Sequence, residues 1–114
     1  MKLKDIAKEL GATVEAAPDG LANEVTGGYV GDLLSCVMAR ARHGNVWVTV
    51  HAHPNIVAVA TLVGLAGIIV AERTVVDPVT IRRANEEGVT ILTSARSSFT
   101  VVAALVHMGL EGPY

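Results

Sequence analysis

Leu3, Ile6, Ala7 and Leu10 recur at i, i+3, i+4 and i+7, one face of a helix, and Gly11 follows as a residue able to end it. Residues 13–16 read as a short strand, and Pro18-Asp19-Gly20 as a turn. A second strand is expected near residues 24–26, broken by the Gly27-Gly28 pair. From Asp32, a candidate N-cap, the residues Leu33, Leu34, Val37, Met38 and Ala41 form a broad helical stripe that Gly44 closes. Residues 46–50, Val-Trp-Val-Thr-Val, are β-branched or aromatic throughout and give the clearest strand.

An apolar helix over residues 56–63 follows, ended by Gly64 and then by the fully apolar run Ile68-Ile69-Val70. Asp77-Pro78 pairs an N-cap with a proline in the first turn, and Gly88 ends the helix they start. Residues 89–92 read as another buried strand. The last helix carries Phe99, Val102, Ala103 and Val106 on one face, with Gly109 after it. From Val46 onward strands and helices alternate with short links, and the strands are apolar enough to be covered on both faces. That pattern predicts a small single-domain α/β fold over residues 1–114, with a mostly parallel central sheet and flanking helices.

Composition narrows the function classes. Of 114 residues, 51% are hydrophobic and 18% charged, which excludes intrinsic disorder. A net charge of −2 and 4% aromatics argue against a nucleic-acid partner, which selects a basic stripe and stacking platforms. Mean hydropathy is +0.46, yet the most apolar stretch, residues 56–71, is shorter than the roughly 20 residues of a membrane span and contains Gly64 and Gly67. No membrane partner is expected. Lys2, Lys4 and Lys8 alternate with Asp5 and Glu9 and no apolar signal core follows, so a cytoplasmic location is expected. The apolar helix over residues 56–63 wants cover on both faces, which a homodimer would supply.

Candidate chemistry gathers in the loops after the strands, where ligands of parallel sheets bind. One loop holds His51, His53 and Asn55. The next holds Glu72, Arg73, Thr74 and Asp77, and the third runs from Thr93 through Ser94 and Arg96 to Ser98. Two guanidinium groups, several hydroxyls and helix N-termini suit a small anionic ligand. Ligand contacts are therefore expected from His53, Asn55, Arg73, Ser94, Arg96 and Ser98. Gly27 and Gly28 join them as a place where backbone approaches a ligand or a partner chain. The same serines also serve as helix caps and the same arginines as solvated charges.

His51 and His53, two apart, have no acidic or cysteine neighbour in sequence to complete a metal site, and no metal or other cofactor is expected. The single Cys36 sits at helical spacing among apolar residues and excludes a disulfide framework or CxxC pair. Neither a Walker-A string nor a dinucleotide fingerprint is present. No catalytic spacing appears, and the chain is read as not an enzyme.

Several separated strings resemble small stand-alone DRTGG-domain proteins over residues 20–110. They are Gly28-Tyr29-Val30, Asp32-Leu33-Leu34-Ser35, Trp47-Val48-Thr49, Asn55-Ile56, Ala66-Gly67-Ile68-Ile69 and the run from Thr93 to Phe99. The name-giving string is absent, with Thr26-Gly27-Gly28 and Glu72-Arg73-Thr74 as partial echoes. Gly31 stands where the family pattern has Ser, and Cys36 where Asp is common. The resemblance implies a fold like the amino-terminal domain of HPr kinase/phosphorylase and a regulatory role. Related domains lie outside the catalytic domains of phosphotransacetylases and CBS-domain pyrophosphatases. It also implies, as the alternative to a ligand sensor, an interaction protein beside a hydrogenase-type partner.

Overall fold

The computed structural model describes residues 1–114. The chain runs α1 (Leu3–Leu10), β1 (Thr13–Ala16), a 3-10 turn (Pro18–Ala22), β2 (Gly27–Val30), α2 (Leu34–Arg40), β3 (Asn45–Thr49), α3 (Asn55–Val63), β4 (Gly67–Val70), α4 (Pro78–Glu87), β5 (Ile91–Thr93) and α5 (Ser98–His107). One sheet has the order β1-β5-β4-β3-β2; β2 to β5 are parallel and β1 is antiparallel to β5. The α/β class with a mostly parallel sheet is as the pattern predicts.

The parallel strands advance in one direction only, each joining the next through a helix. Right-handed crossovers of one sense put every connecting helix on the same face. Accordingly α2, α3 and α4 contribute to one apolar cluster, with Trp47, Ile68, Val70 and Ile91 from the sheet. The opposite face has only α1 and α5, packed over Val46, Val48, Ile69 and Leu92. Successive residues of β3 and β4 thus point into different clusters and all are buried, which is why these two strands stand out as buried strands in the sequence. Each fully buried Ile, Leu or Val here contributes about 1.5–3 kcal/mol of transfer free energy.

Helix ends follow the sequence reading closely. Gly11, Gly64 and Gly88 adopt left-handed φ of 60°, 78° and 71° and close α1, α3 and α4. Asp77 takes the N-cap position of α4 with Pro78 in the first turn, but its side chain makes no capping hydrogen bond. The Asp5 carboxylate accepts from Lys2 N–H at 2.9 Å at the start of α1.

Three expectations change. The second strand is Gly27–Val30, not 24–26: its edge is fixed by pairing with β3, Gly27 opposite Asn45, and Glu24 only makes an isolated bridge to Lys2. Asp32 is not the cap of α2; its carboxylate accepts from Thr49 Oγ1 at 2.7 Å and Val50 N–H at 2.9 Å. Within α2 only Val37 is fully buried, while Leu33 and Met38 face outward, and the helix ends at Arg40 with Gly44 in the following turn. On α5 the face of Phe99, Val102, Ala103 and Val106 is present as expected and lies outward, Val102 only in part, while Val101 and Leu105 are the buried residues. As for α3, its own chain covers Ile56, Val57, Val59 and Ala60.

Beyond α5 the chain crosses back over edge strand β2, where Gly28 N–H donates to the Glu111 carbonyl at 2.9 Å. A Cβ on Gly27 would stand 2.7 Å from that same carbonyl oxygen. Gly27→Ala is expected to cost about 1 kcal/mol by overpacking, read as a lower thermal midpoint; an unchanged midpoint would mean that the segment simply moves aside. Further along, partial desolvation and the neighbouring Tyr114 raise the Tyr29 phenol above its ordinary value of 10. Its neutral form therefore stabilises the fold fully below pH 10, and that contribution is lost as pH rises through the raised value. Tyrosinate absorbance should show this phenol ionising later than a free tyrosine.

Candidate ligand site at the carboxyl edge of the sheet

Because β3, β4 and β5 are adjacent and parallel, their three following loops do converge on one edge. Strand order never reverses among the parallel strands, however, so no crevice opens between them of the kind that a reversal creates. The hollow at this edge lies instead at the corner where antiparallel β1 joins β5. It has a volume of about 450 Å³, and Thr13, Glu15, Arg73, Thr74, Thr93 and Ser94 are among its lining residues.

Backbone geometry ties the second and third loops together. Glu72 and Arg73 both have positive φ, 66° and 59°, a conformation that costs residues with a Cβ about 1 kcal/mol or more each. It turns their N–H groups onto the third loop: Glu72 N–H donates to the Arg96 carbonyl at 2.9 Å and Arg73 N–H to the Ser94 carbonyl at 3.2 Å. Ser94, 7% exposed, accepts from Arg96 N–H through its hydroxyl at 3.1 Å. The Glu72 carboxylate accepts from Ser98 N–H at 2.8 Å, so the chain supplies its own anion at the start of α5. Ser97 caps that helix by accepting from Thr100 N–H at 3.1 Å.

The anticipated residues fall into four groups. Arg73 and Ser94 line the hollow. Arg96 and Ser98 are joined to the same two loops through their backbones; the Arg96 side chain is exposed and the Ser98 N–H is already partnered. His53 and Asn55 lie one strand further along, exposed, with His53 Nδ1 accepting from Asn55 N–H at 3.1 Å at the start of α3. Gly27 and Gly28 begin β2 and so sit at the amino edge of the sheet, against the Glu111 carbonyl. His51 Nε2 meets the Asp32 backbone carbonyl. No group of three His, Cys, Asp or Glu side chains is placed to hold a metal ion.

Thr13 and Glu15 were not anticipated, because they come from a strand that precedes the alternating series. The Glu15 carboxylate accepts from Thr93 Oγ1 at 3.0 Å, which puts a negative charge in the hollow that Arg73 also lines, without a salt bridge between the two. Arg73 is thus the hollow's cation, Glu15 its anion, and Thr13, Thr74, Thr93 and Ser94 its neutral hydroxyls. Such a set recognises a ligand with both acceptors and donors; a bare anion would meet Glu15.

Outside the site, no helix is long and apolar enough to cross a membrane. The fold is similar to that of the CBS and DRTGG domains of the regulatory region of Clostridium perfringens pyrophosphatase, complexed with the activator diadenosine tetraphosphate. The TM-score is 0.74 at 17% sequence identity, over 92% of this chain and 46% of that one. This chain therefore spans less than half the length of that structure. No curated protein matches the sequence. The family model of the DRTGG domain matches residues 5–108, wider than the span over which the strings above resemble it. By that match, over nearly its whole length, this chain belongs to the DRTGG domain family.

Proposed function

We propose that this chain is a non-catalytic regulatory module that senses a small nucleotide- or phosphate-like anionic ligand at the carboxyl edge of its sheet, and that it works as a homodimer. The observation that carries the reading is the hollow that pairs Arg73 with Ser94 and three threonine hydroxyls, with Arg96 on the adjoining loop. A guanidinium grips phosphate oxygens bidentately, and hydroxyls complete the shell. Glu15 suits the same ligand class if it accepts from a ribose or base donor while Arg73 holds phosphate. The structural neighbour adds support, since its DRTGG domain belongs to a regulatory region solved with a dinucleotide activator. Coupling to an output follows from the two left-handed residues: a ligand that engages Arg73 pulls on the loop that also holds the start of α5.

Thermal unfolding with diadenosine tetraphosphate, adenine and guanine nucleotides, and inorganic phosphate tests this. A ligand at one hundred times its dissociation constant adds about 2.7 kcal/mol, a rise of several degrees for a domain of this size. Arg73→Ala is expected to weaken a binding nucleotide by about 1.5–3 kcal/mol in calorimetry, more than Arg96→Ala does. Glu15→Gln should tighten inorganic phosphate and weaken a nucleoside phosphate. No shift with any of these compounds would remove the reading.

A further inference from the structure

We propose that the outward face of α5 and the neighbouring end of β2 bind a second copy of this chain, with Phe99 of each protomer seated in a hollow of the other. This rests on the homodimer part of the reading above and assigns its surface. One-directional strand order loads three helices onto one side of the sheet and leaves two for the other; β3 is still covered, but cover runs out over the edge strand β2, where Val30 is exposed. There an apolar hollow of about 150 Å³ opens, lined by Val30, Val48, Val102, Leu105, Val106 and Leu110. Directly beside it, across Val102 and Val106, stands Phe99, 85% exposed in the first turn of α5.

A projection and a hollow on one face are what a two-fold interface requires, because there residue i meets j while j meets i. The sizes agree: a cavity of about 150 Å³ accommodates benzene, and hence a phenyl ring. Charge does not stand in the way. The two hollows of this face have only one acid, Glu111, and one histidine, His107, among their lining residues, so little charge has to be desolvated when two copies meet. Area points the same way. Phe99, Val106 and Val30 are 85%, 61% and 49% exposed. Together they present roughly 300 Å² of apolar side chain, the scale of the largest patch on a whole monomer and a fitting centre for the roughly 800 Å² each partner contributes to a stable interface.

The test is sedimentation of the whole chain, wild type against Phe99→Glu and Val30→Glu, with thermal unfolding of each. A wild-type dimer is expected, with its dissociation constant raised more than about 100-fold by either change, since two-fold symmetry counts each lost anchor twice. Melting of the dilute monomers should stay close to wild type for Phe99→Glu. In a dimer of mixed isotope labelling, contacts between the Phe99 ring and Leu110 methyls must cross between copies, because the ten-residue α5 holds the two apart by about 15 Å within one chain. This readout needs no variant. A dimer that survives both substitutions and lacks those contacts overturns the face and leaves the homodimer standing. A wild-type chain that stays monomeric at millimolar concentration overturns both, while nucleotide binding at Arg73 remains a separate question.

Discussion

Trp47→Ala should destabilise the domain by about 4 kcal/mol, a large part of the 5–15 kcal/mol available to a protein of this kind. Trp47 is the largest side chain wholly withdrawn from solvent, and it lies in β3 between β2 and β4. Its indole occupies the cluster that unites the sheet with α2, α3 and α4. Truncation to Ala would leave a cavity framed by β-branched side chains, which relax little. The indole Nε1–H also donates to the Gly31 carbonyl at 2.8 Å, fixing the turn from β2 into α2, and that acceptor would lose its partner. Denaturant unfolding measures the loss. Trp47→Phe separates the causes, because it keeps most of the volume and drops the hydrogen bond. A loss under about 1.5 kcal/mol for Trp47→Ala would mean that the helices close over the gap, contrary to the usual cost of emptying a core.

The second large effect comes from adding one methyl group. A Cβ at Gly20, in the 3-10 turn, would fall on Thr90 Oγ1, and 3.1 Å from Thr90 Cβ. Thr90 cannot retreat: it is 1% exposed, its hydroxyl donates to the Ala17 carbonyl at 2.6 Å, and its own carbonyl accepts from Ile68 N–H at 2.9 Å. Gly20→Ala is therefore expected to cost about 3 kcal/mol, at the upper end for overpacking. Thr90→Ala alone should cost about 1 kcal/mol, through the lost hydroxyl bond to the Ala17 carbonyl, which keeps the Gly20 N–H as a donor at 3.1 Å. Combined, the two should fall short of additivity by about 2 kcal/mol, because the second removes the atom that the first strikes. Strict additivity would place the cost of Gly20→Ala elsewhere.

Much of this architecture is legible in the residue pattern, and the gaps have physical causes. Buried parallel strands must be apolar on both faces, so β3 and β4 stand out; glycines that end helices need a left-handed φ, so Gly11, Gly64 and Gly88 do as well. By contrast, β2 is placed by its partner β3, and its Gly27-Gly28 start reads locally as a break. The α5 sequence is apolar on both sides, so periodicity alone cannot choose between Val101 with Leu105 and Phe99 with Val106; the position of the sheet decides. Asp32 has the residue type of a cap, but tertiary donors on Thr49 and Val50 outbid the helix for its carboxylate. Around the candidate site, the loops carrying Arg73 and Ser94 follow from the strand-helix alternation. Glu15 does not, because an antiparallel pairing of the first strand with the last leaves no local trace.

That pairing also orders events during synthesis. As the chain leaves the ribosome, β2, β3 and β4 meet their neighbours in the order in which they appear, each after one intervening helix. β1 emerges before them all and has no partner, for Thr13 must wait for Thr93. Until β5 and α5 arrive, the apolar stripe of α1 has only part of its cover, since Leu92, Val101 and Leu105 complete the cluster in which it packs. The nascent domain thus carries a sticky amino-terminal helix through most of its translation, a natural target for chaperones that shield apolar segments, and it closes in one late step.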